Sequence, residues 1–132
     1  MKFLGIDYGG KRIGLAVSDE GGTIAFPRTT IANMKGVIET IKELVRVEHI
    51  GFIVVGDTKS YGGVPNPITT QVKNFVNDLK EALDVPIASS WEAGSSIEAN
   101  RYAPDDRHDD SSAAAVILQR YLDIKTGSVS GI

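Results

Sequence analysis

Residues 50–56 read IGFIVVG, a nearly continuous apolar run rich in β-branched side chains. A strand with one face in water alternates apolar and polar positions, whereas a strand with no polar position needs cover on both faces. Helices are the cover this chain offers. Just upstream, between Asn33 and His49, apolar residues fall at Val37, Ile38, Ile41, Leu44 and Val45, the spacing of a single helical stripe. Downstream, Asn66 and Pro67 suit the cap and first turn of a second helix, whose stripe is Val72, Phe75, Val76, Leu79 and Leu83. Between the two lies DTKSYGGVPN, residues 57–66, with two glycines and a proline, which predicts a mobile loop. Val85 to Ser89 predicts a short strand, and Asp109 to Leu122 a last helix that packs through Ala113, Ala114, Val116, Ile117, Leu118, Tyr121 and Leu122.

The first thirty residues obey a different period. Leu4, Ile6 and Tyr8 alternate with Phe3, Gly5 and Asp7, and Ile13, Leu15 and Val17 share a face after the Gly9-Gly10 turn. Thr23 to Ile31 is a third β-prone stretch after Asp19-Glu20-Gly21-Gly22, so this region predicts an antiparallel meander. The full order is β-β-β-α-β-α-β-α. Right-handed crossovers then set the fourth and fifth strands parallel to the first, giving an α/β fold with a five-stranded mixed sheet and helices on both faces. A chain of 132 residues supports one such core; the domain is expected over 1–122, with residues 123–132 as a flexible tail.

Composition narrows the chemistry. Without cysteine there is neither a disulfide framework nor a thiolate metal site, so a bound metal would take carboxylate oxygens, which favours hard ions such as Mg2+ or Mn2+. A net charge of −3 excludes binding nucleic acid by bulk positive charge. It leaves room for a local basic rim, for which Lys2, Lys11, Arg12, Lys59, Lys73 and Arg101 are candidates. No apolar run reaches the roughly 20 residues of a membrane span, and Asp7 interrupts the N-terminal stretch where a signal peptide stays apolar. A cytoplasmic protein with no membrane partner is expected.

Three carboxylates occupy informative places. Asp7 ends the first strand, Glu92 follows the fifth, and Asp110 opens the last helix. The carboxyl ends of parallel strands form the usual ligand edge of an open sheet, and Ala113 and Ala114 are small enough to let the helix bring Asp110 close. Three converging carboxylates repel one another unless a cation neutralises them. Singly, each has a plainer role: Asp7 as a turn residue, Glu92 as a surface carboxylate, Asp110 as a helix cap. Asp19 and Glu20 read as a solvated turn, Asp105 and Asp106 as a charged loop, and His108 as a solvated loop histidine.

The segment LGIDYGGKRIGLAVSDEGGTIAFPRTTI, Leu4 to Ile31, resembles the opening of the YqgF/RuvX family, a strand with Asp-x-Gly followed by Lys-Arg-Ile-Gly. The resemblance continues at IVVG (Ile53 to Gly56), EAGSSIEA (Glu92 to Ala99) and DSSAAAVILQRYL (Asp110 to Leu122). It implies an RNase H-like fold related to Holliday junction resolvases and a role in maturing the 5′ end of pre-16S ribosomal RNA. The family's three acidic positions correspond to Asp7, Glu92 and Asp110, the last set by its spacing to Gln119. Two places depart from the family. Residues 57–63 replace its usual Pro-Leu-Asn-x-x-Gly loop, and Trp91-Glu92-Ala93 replaces Asp-Glu-Arg, which removes an arginine and supplies an indole able to stack on a base or to pack on the sheet edge.

The expected chemistry is phosphodiester hydrolysis by a divalent-metal-dependent nuclease. Two ions would be bridged by Asp7 and flanked by Glu92 and Asp110, with Lys11 or Arg12 on a neighbouring phosphate and Trp91 on the substrate. RNA is the preferred substrate. A DNA junction resolvase, which would act as a dimer, and a non-catalytic nucleic-acid-binding module on the same fold are the alternatives. The Asp-x-Gly hairpin of sugar kinases and actin-like ATPases belongs to two-domain proteins, which need more chain than this one has.

Overall fold

The computed structural model describes residues 1–56, 67–89 and 110–126. Strands β1 (Lys2–Asp7), β2 (Arg12–Ser18) and β3 (Ala25–Ala32) precede helix α1 (Val37–Glu48) and strand β4 (Ile50–Gly56). Helix α2 (Pro67–Ala82), strand β5 (Ile87–Ser89) and helix α3 (Asp110–Thr126) follow. The strands form one sheet in the order β3-β2-β1-β4-β5. β1 and β2, and β2 and β3, pair antiparallel; β4 is parallel to β1, and β5 to β4. This is the mixed sheet that the order of periodicities predicts.

The two faces of the sheet carry separate cores. On one, Leu4, Ile6 and Tyr8 of β1 and Ile53 and Val55 of β4 meet Ile41 and Val45 of α1 and Val72, Phe75, Val76 and Leu79 of α2. On the other, Phe3, Ala16 and Val54 meet Ala114, Ile117, Leu118 and Leu122 of α3. Alternation along β1 and β4 therefore feeds both layers, which is why the apolar run of β4 has no polar position. Ile53, Val54 and Val55 are fully buried.

Several boundaries differ from the sequence reading. The helical stripe predicts a start at Asn33, but α1 begins at Val37 behind Gly36, whose φ of 91° interrupts a helical path. Asn33 instead prolongs the sheet, its backbone N–H donating to the Lys11 carbonyl at 2.9 Å. The third strand begins at Ala25 rather than Thr23, because Asp19 organises the preceding turn. Its carboxylate accepts the N–H groups of Thr23 (2.7 Å) and Ile24 (2.9 Å), and these bonds, that from Ile24 foremost, lower its pKa. Asp19 is thus a turn-forming acceptor, beyond the merely solvated residue expected. At the other end of the chain α3 continues past Leu122 to Thr126, so the first part of the expected tail is helical; residues 127–132 lie outside the described residues. Pro67 is the first residue of α2, as its fixed φ suits.

Candidate functional site

Asp7 is the last residue of β1 and only 3% exposed. Its cross-strand partners are Gly14 on β2 and Gly56 on β4. Paired residues project to the same side of a sheet, so the two strands that flank Asp7 contribute no side chain at its own register position. Alternation from Phe3 through Gly5 places Asp7 on the α3 face. Tyr8, one residue on, turns to the opposite face against Phe75, ring centroids 4.9 Å apart, while its N–H donates to the Gly56 carbonyl at 2.9 Å. The end of β1 is therefore anchored to β4 and to α2.

The path of α3 brings the backbone of a second candidate residue, Asp110, toward this end. Phe3 faces Tyr121, with centroids 6.4 Å apart, and the Lys125 ammonium, 5.8 Å from its ring. Gly5 faces Leu118 and Ala114: a Cβ at Gly5 would lie 2.6 Å from Leu118 Cβ and 3.0 Å from the Ala114 carbonyl oxygen. Hence α3 runs antiparallel to β1. From Gly5 to Asp7 the strand advances about 6.6 Å, and from Ala114 back to Asp110 the helix retreats about 6 Å. The N-terminal end of α3, which begins at Asp110, therefore lies toward the Asp7 end of β1. An acidic residue also suits the positive end of a helix dipole.

Glu92 and Trp91 lie outside the described residues, as do Lys59, Arg101, His108 and the departing loop at 57–66. What the structure fixes is the strand that leads to Glu92. β5 ends at Ser89, paired with Val55, next to the Gly56 that pairs with Asp7. It thus points to the same edge, two strand spacings or about 10 Å from β1.

Of the candidate basic rim, Lys11 and Arg12 are exposed; Lys11 ends the β1–β2 connection and Arg12 opens β2. Lys2 does not belong to the rim. It begins β1, at the opposite end of the sheet, where its ammonium pairs with Glu48 at 2.7 Å; Arg28 reaches the same carboxylate at 3.0 Å. The hydrogen bond from Lys2, then that from Arg28, hold the Glu48 carboxyl below the usual range. Lys73 is exposed on α2.

Sequence reasoning missed two polar side chains that organise this architecture. Asn33 Nδ2 donates to the Gly9 carbonyl at 2.8 Å, tying the end of β3 to the turn after Asp7. Gln119 accepts the Ala25 N–H at 2.8 Å and donates to the Thr23 carbonyl at 2.9 Å, tying α3 to the start of β3. Both contacts are remote in sequence, and no local pattern announces them.

Among the described residues Asp7 supplies a hard oxygen donor at a buried strand end, and a chain without cysteine offers no thiolate.

A five-stranded mixed sheet with this strand order, helices on both faces and an aspartate closing the central strand defines the RNase H-like fold. The chain superposes on Thermus thermophilus RuvC, solved in complex with a Holliday junction substrate, with a TM-score of 0.59 and 18% identity over 97% of this chain and 98% of that one. The fowlpox virus Holliday junction resolvase gives a TM-score of 0.51 and 13% identity over 94% and 99%. The chain belongs to the RuvX family, described as Holliday junction resolvase, whose model it matches over residues 1–124. Among its relatives are two proteins named as candidate pre-16S rRNA nucleases. That of Thermoanaerobacter pseudethanolicus is 38% identical, covering 93% of this chain and 96% of the relative. That of Nitratidesulfovibrio vulgaris strain DP4 is 40% identical, covering 92% and 93%.

Proposed function

We propose that this protein is a divalent-metal-dependent nuclease that hydrolyses phosphodiester bonds, and that its substrate is precursor 16S ribosomal RNA, processed at the 5′ end. The observation that carries the reading is the buried Asp7 at the end of β1, at the end of the sheet toward which α3 begins. The family and the names of the relatives support the reaction class and the RNA substrate. No helix among the described residues is long and apolar enough to cross a membrane. Cytoplasmic precursor RNA is an accessible substrate on this reading.

Asp7, Glu92 and Asp110 would hold Mg2+ or Mn2+, two ions in our reading, and when bound the metal supplies charge neutralisation and an activated water. The chain's own groups do the rest. Lys11 and Arg12 bind the phosphate next to the scissile one, fixing the strand for in-line attack. The water oxygen adds to phosphorus and gives up a proton to solvent, the P–O bond to the leaving oxygen breaks, and that oxygen takes a proton from solvent. Trp91 stacks on an unpaired base and selects single-stranded substrate.

The family's description favours a second reading, resolution of DNA junctions. Labelled precursor rRNA, single-stranded RNA and four-way DNA junctions, each incubated with Mg2+ or Mn2+, separate the two. RNA cleavage that requires metal is expected. Junction cleavage alone would replace the first reading by the second, and binding without cleavage of any substrate would reduce the protein to a nucleic-acid-binding module. Asp7→Asn keeps the shape of the side chain and removes its charge, so it should abolish cleavage while preserving the fold. Activity near wild type in this variant would remove Asp7 from the site.

A further inference from the structure

The turn that follows Asp7 contains Gly9 and Gly10 and then presents Lys11 and Arg12. Two adjacent glycines give a turn little preference of its own, so something outside it must fix where the cations stand. The structure supplies a grip from one residue. β2 and β3 remain paired to Arg12 and Ala32, and the Asn33 backbone extends that ladder by donating to the Lys11 carbonyl at 2.9 Å. Its half-buried side chain then reaches further back to donate to the Gly9 carbonyl at 2.8 Å. A carbonyl oxygen only accepts, so the nitrogen of the Asn33 amide must face it. Aspartate at this position would set oxygen against oxygen, and serine is too short to span the gap.

We propose that Asn33 is a positioning residue that sets the β1–β2 turn so that Lys11 meets a substrate phosphate beside Asp7. The proposal rests on the reading of Lys11 as a phosphate ligand. It assigns Asn33 to binding of the substrate strand, with no part in bond cleavage.

The test uses Asn33→Asp and Asn33→Ser, each alone and combined with Lys11→Ala. All four retain the backbone N–H at residue 33 and hence the bond to the Lys11 carbonyl, so the edge of the sheet stays attached; melting temperatures verify this. The readouts are KM and kcat on the RNA substrate with metal, and affinity for the same labelled RNA with metal omitted. Loss of one hydrogen bond that orders a phosphate ligand should raise KM and weaken binding by roughly three- to ten-fold, with kcat within about two-fold. On the Lys11→Ala background the effect should disappear, because residues acting through one contact are not additive. Unchanged KM and affinity, a fall confined to kcat, or the same loss with and without Lys11 would each overturn the proposal. Should Asn33→Asp fail to fold, the uncharged Asn33→Ser carries the comparison. A wild type that binds RNA and cleaves nothing refutes the hydrolytic reading and leaves Asn33 to be judged on affinity. A wild type that binds no RNA overturns both.

Discussion

Gly5 gives the most direct measure of how tightly the site depends on packing behind it. Replacing it with alanine sets the new Cβ 2.6 Å from Leu118 Cβ and 3.0 Å from the Ala114 carbonyl oxygen. The first is about 0.8 Å short of ordinary contact in an interior packed to crystal-like density. Neither neighbour is the free end of a side chain: one is a Cβ fixed by the helix backbone, the other the backbone itself. Relief therefore requires α3 to move as a body away from β1, loosening Ala114, Leu118 and Leu122. Overpacking of this kind costs about 2–3 kcal/mol, a fall of roughly 6–15 °C in melting temperature for a domain of this size. Because Asp110 begins the displaced helix, cleavage should fall further than stability; a misplacement of about 1 Å at a reacting centre costs up to about 100-fold.

Gly51 supplies the control. A Cβ there would lie 2.9 Å from Met1 Cγ, nearly as close. The Met1 residue is 68% exposed, however, and its side chain can swing aside, so Gly51→Ala should stay within about 0.5 kcal/mol of wild type. Thermal melts of both variants, with cleavage rates below their transitions, make the comparison. Equal melting temperatures for the two variants, or a Gly5→Ala protein within about 2 °C of wild type, would refute the claim that α3 rests rigidly on β1.

Other expectations follow from single groups. Asp7→Asn should melt no lower than wild type in the absence of metal, since it neutralises one of the three mutually repelling carboxylates of the proposed site; a large drop would give Asp7 a structural role instead. Glu48 has its folded-state carboxyl depressed by Lys2 and Arg28, so its contribution is present above the ordinary value of 4.5 and is lost as pH falls through the lower folded value. Lys2→Met should therefore lose less stability than wild type as pH falls below the ordinary value of 4.5, read from urea midpoints; parallel curves would deny the linkage. Trp91→Ala should weaken binding of single-stranded RNA about ten-fold with an unchanged melting temperature if the indole stacks on a base. A destabilisation of about 3–5 kcal/mol with intact affinity would show that the ring packs on the sheet.

The sequence alone determined the order and type of every described element. Periodicity reports how each segment meets a core: period two along Leu4, Ile6 and Tyr8, a helical stripe from Val37 to Val45, and no polar position in IGFIVVG. Right-handed crossovers then set the fourth and fifth strands parallel to the first, while the order β3-β2-β1-β4-β5 came from the structure. That Asp7 ends a strand and Asp110 opens a helix was also legible, because both are local facts. Their alignment was not. It depends on Gly5 admitting α3 to backbone contact and on the helix running antiparallel to β1, which only the assembled layers decide. The same is true of Asn33, whose sequence neighbours suggest a helix start, and of Gln119 and Lys2. Their roles come from partners 24, 94 and 46 residues away. A hydrogen bond between such groups leaves no periodic trace in the chain, and forms only when packing has already brought the two ends together.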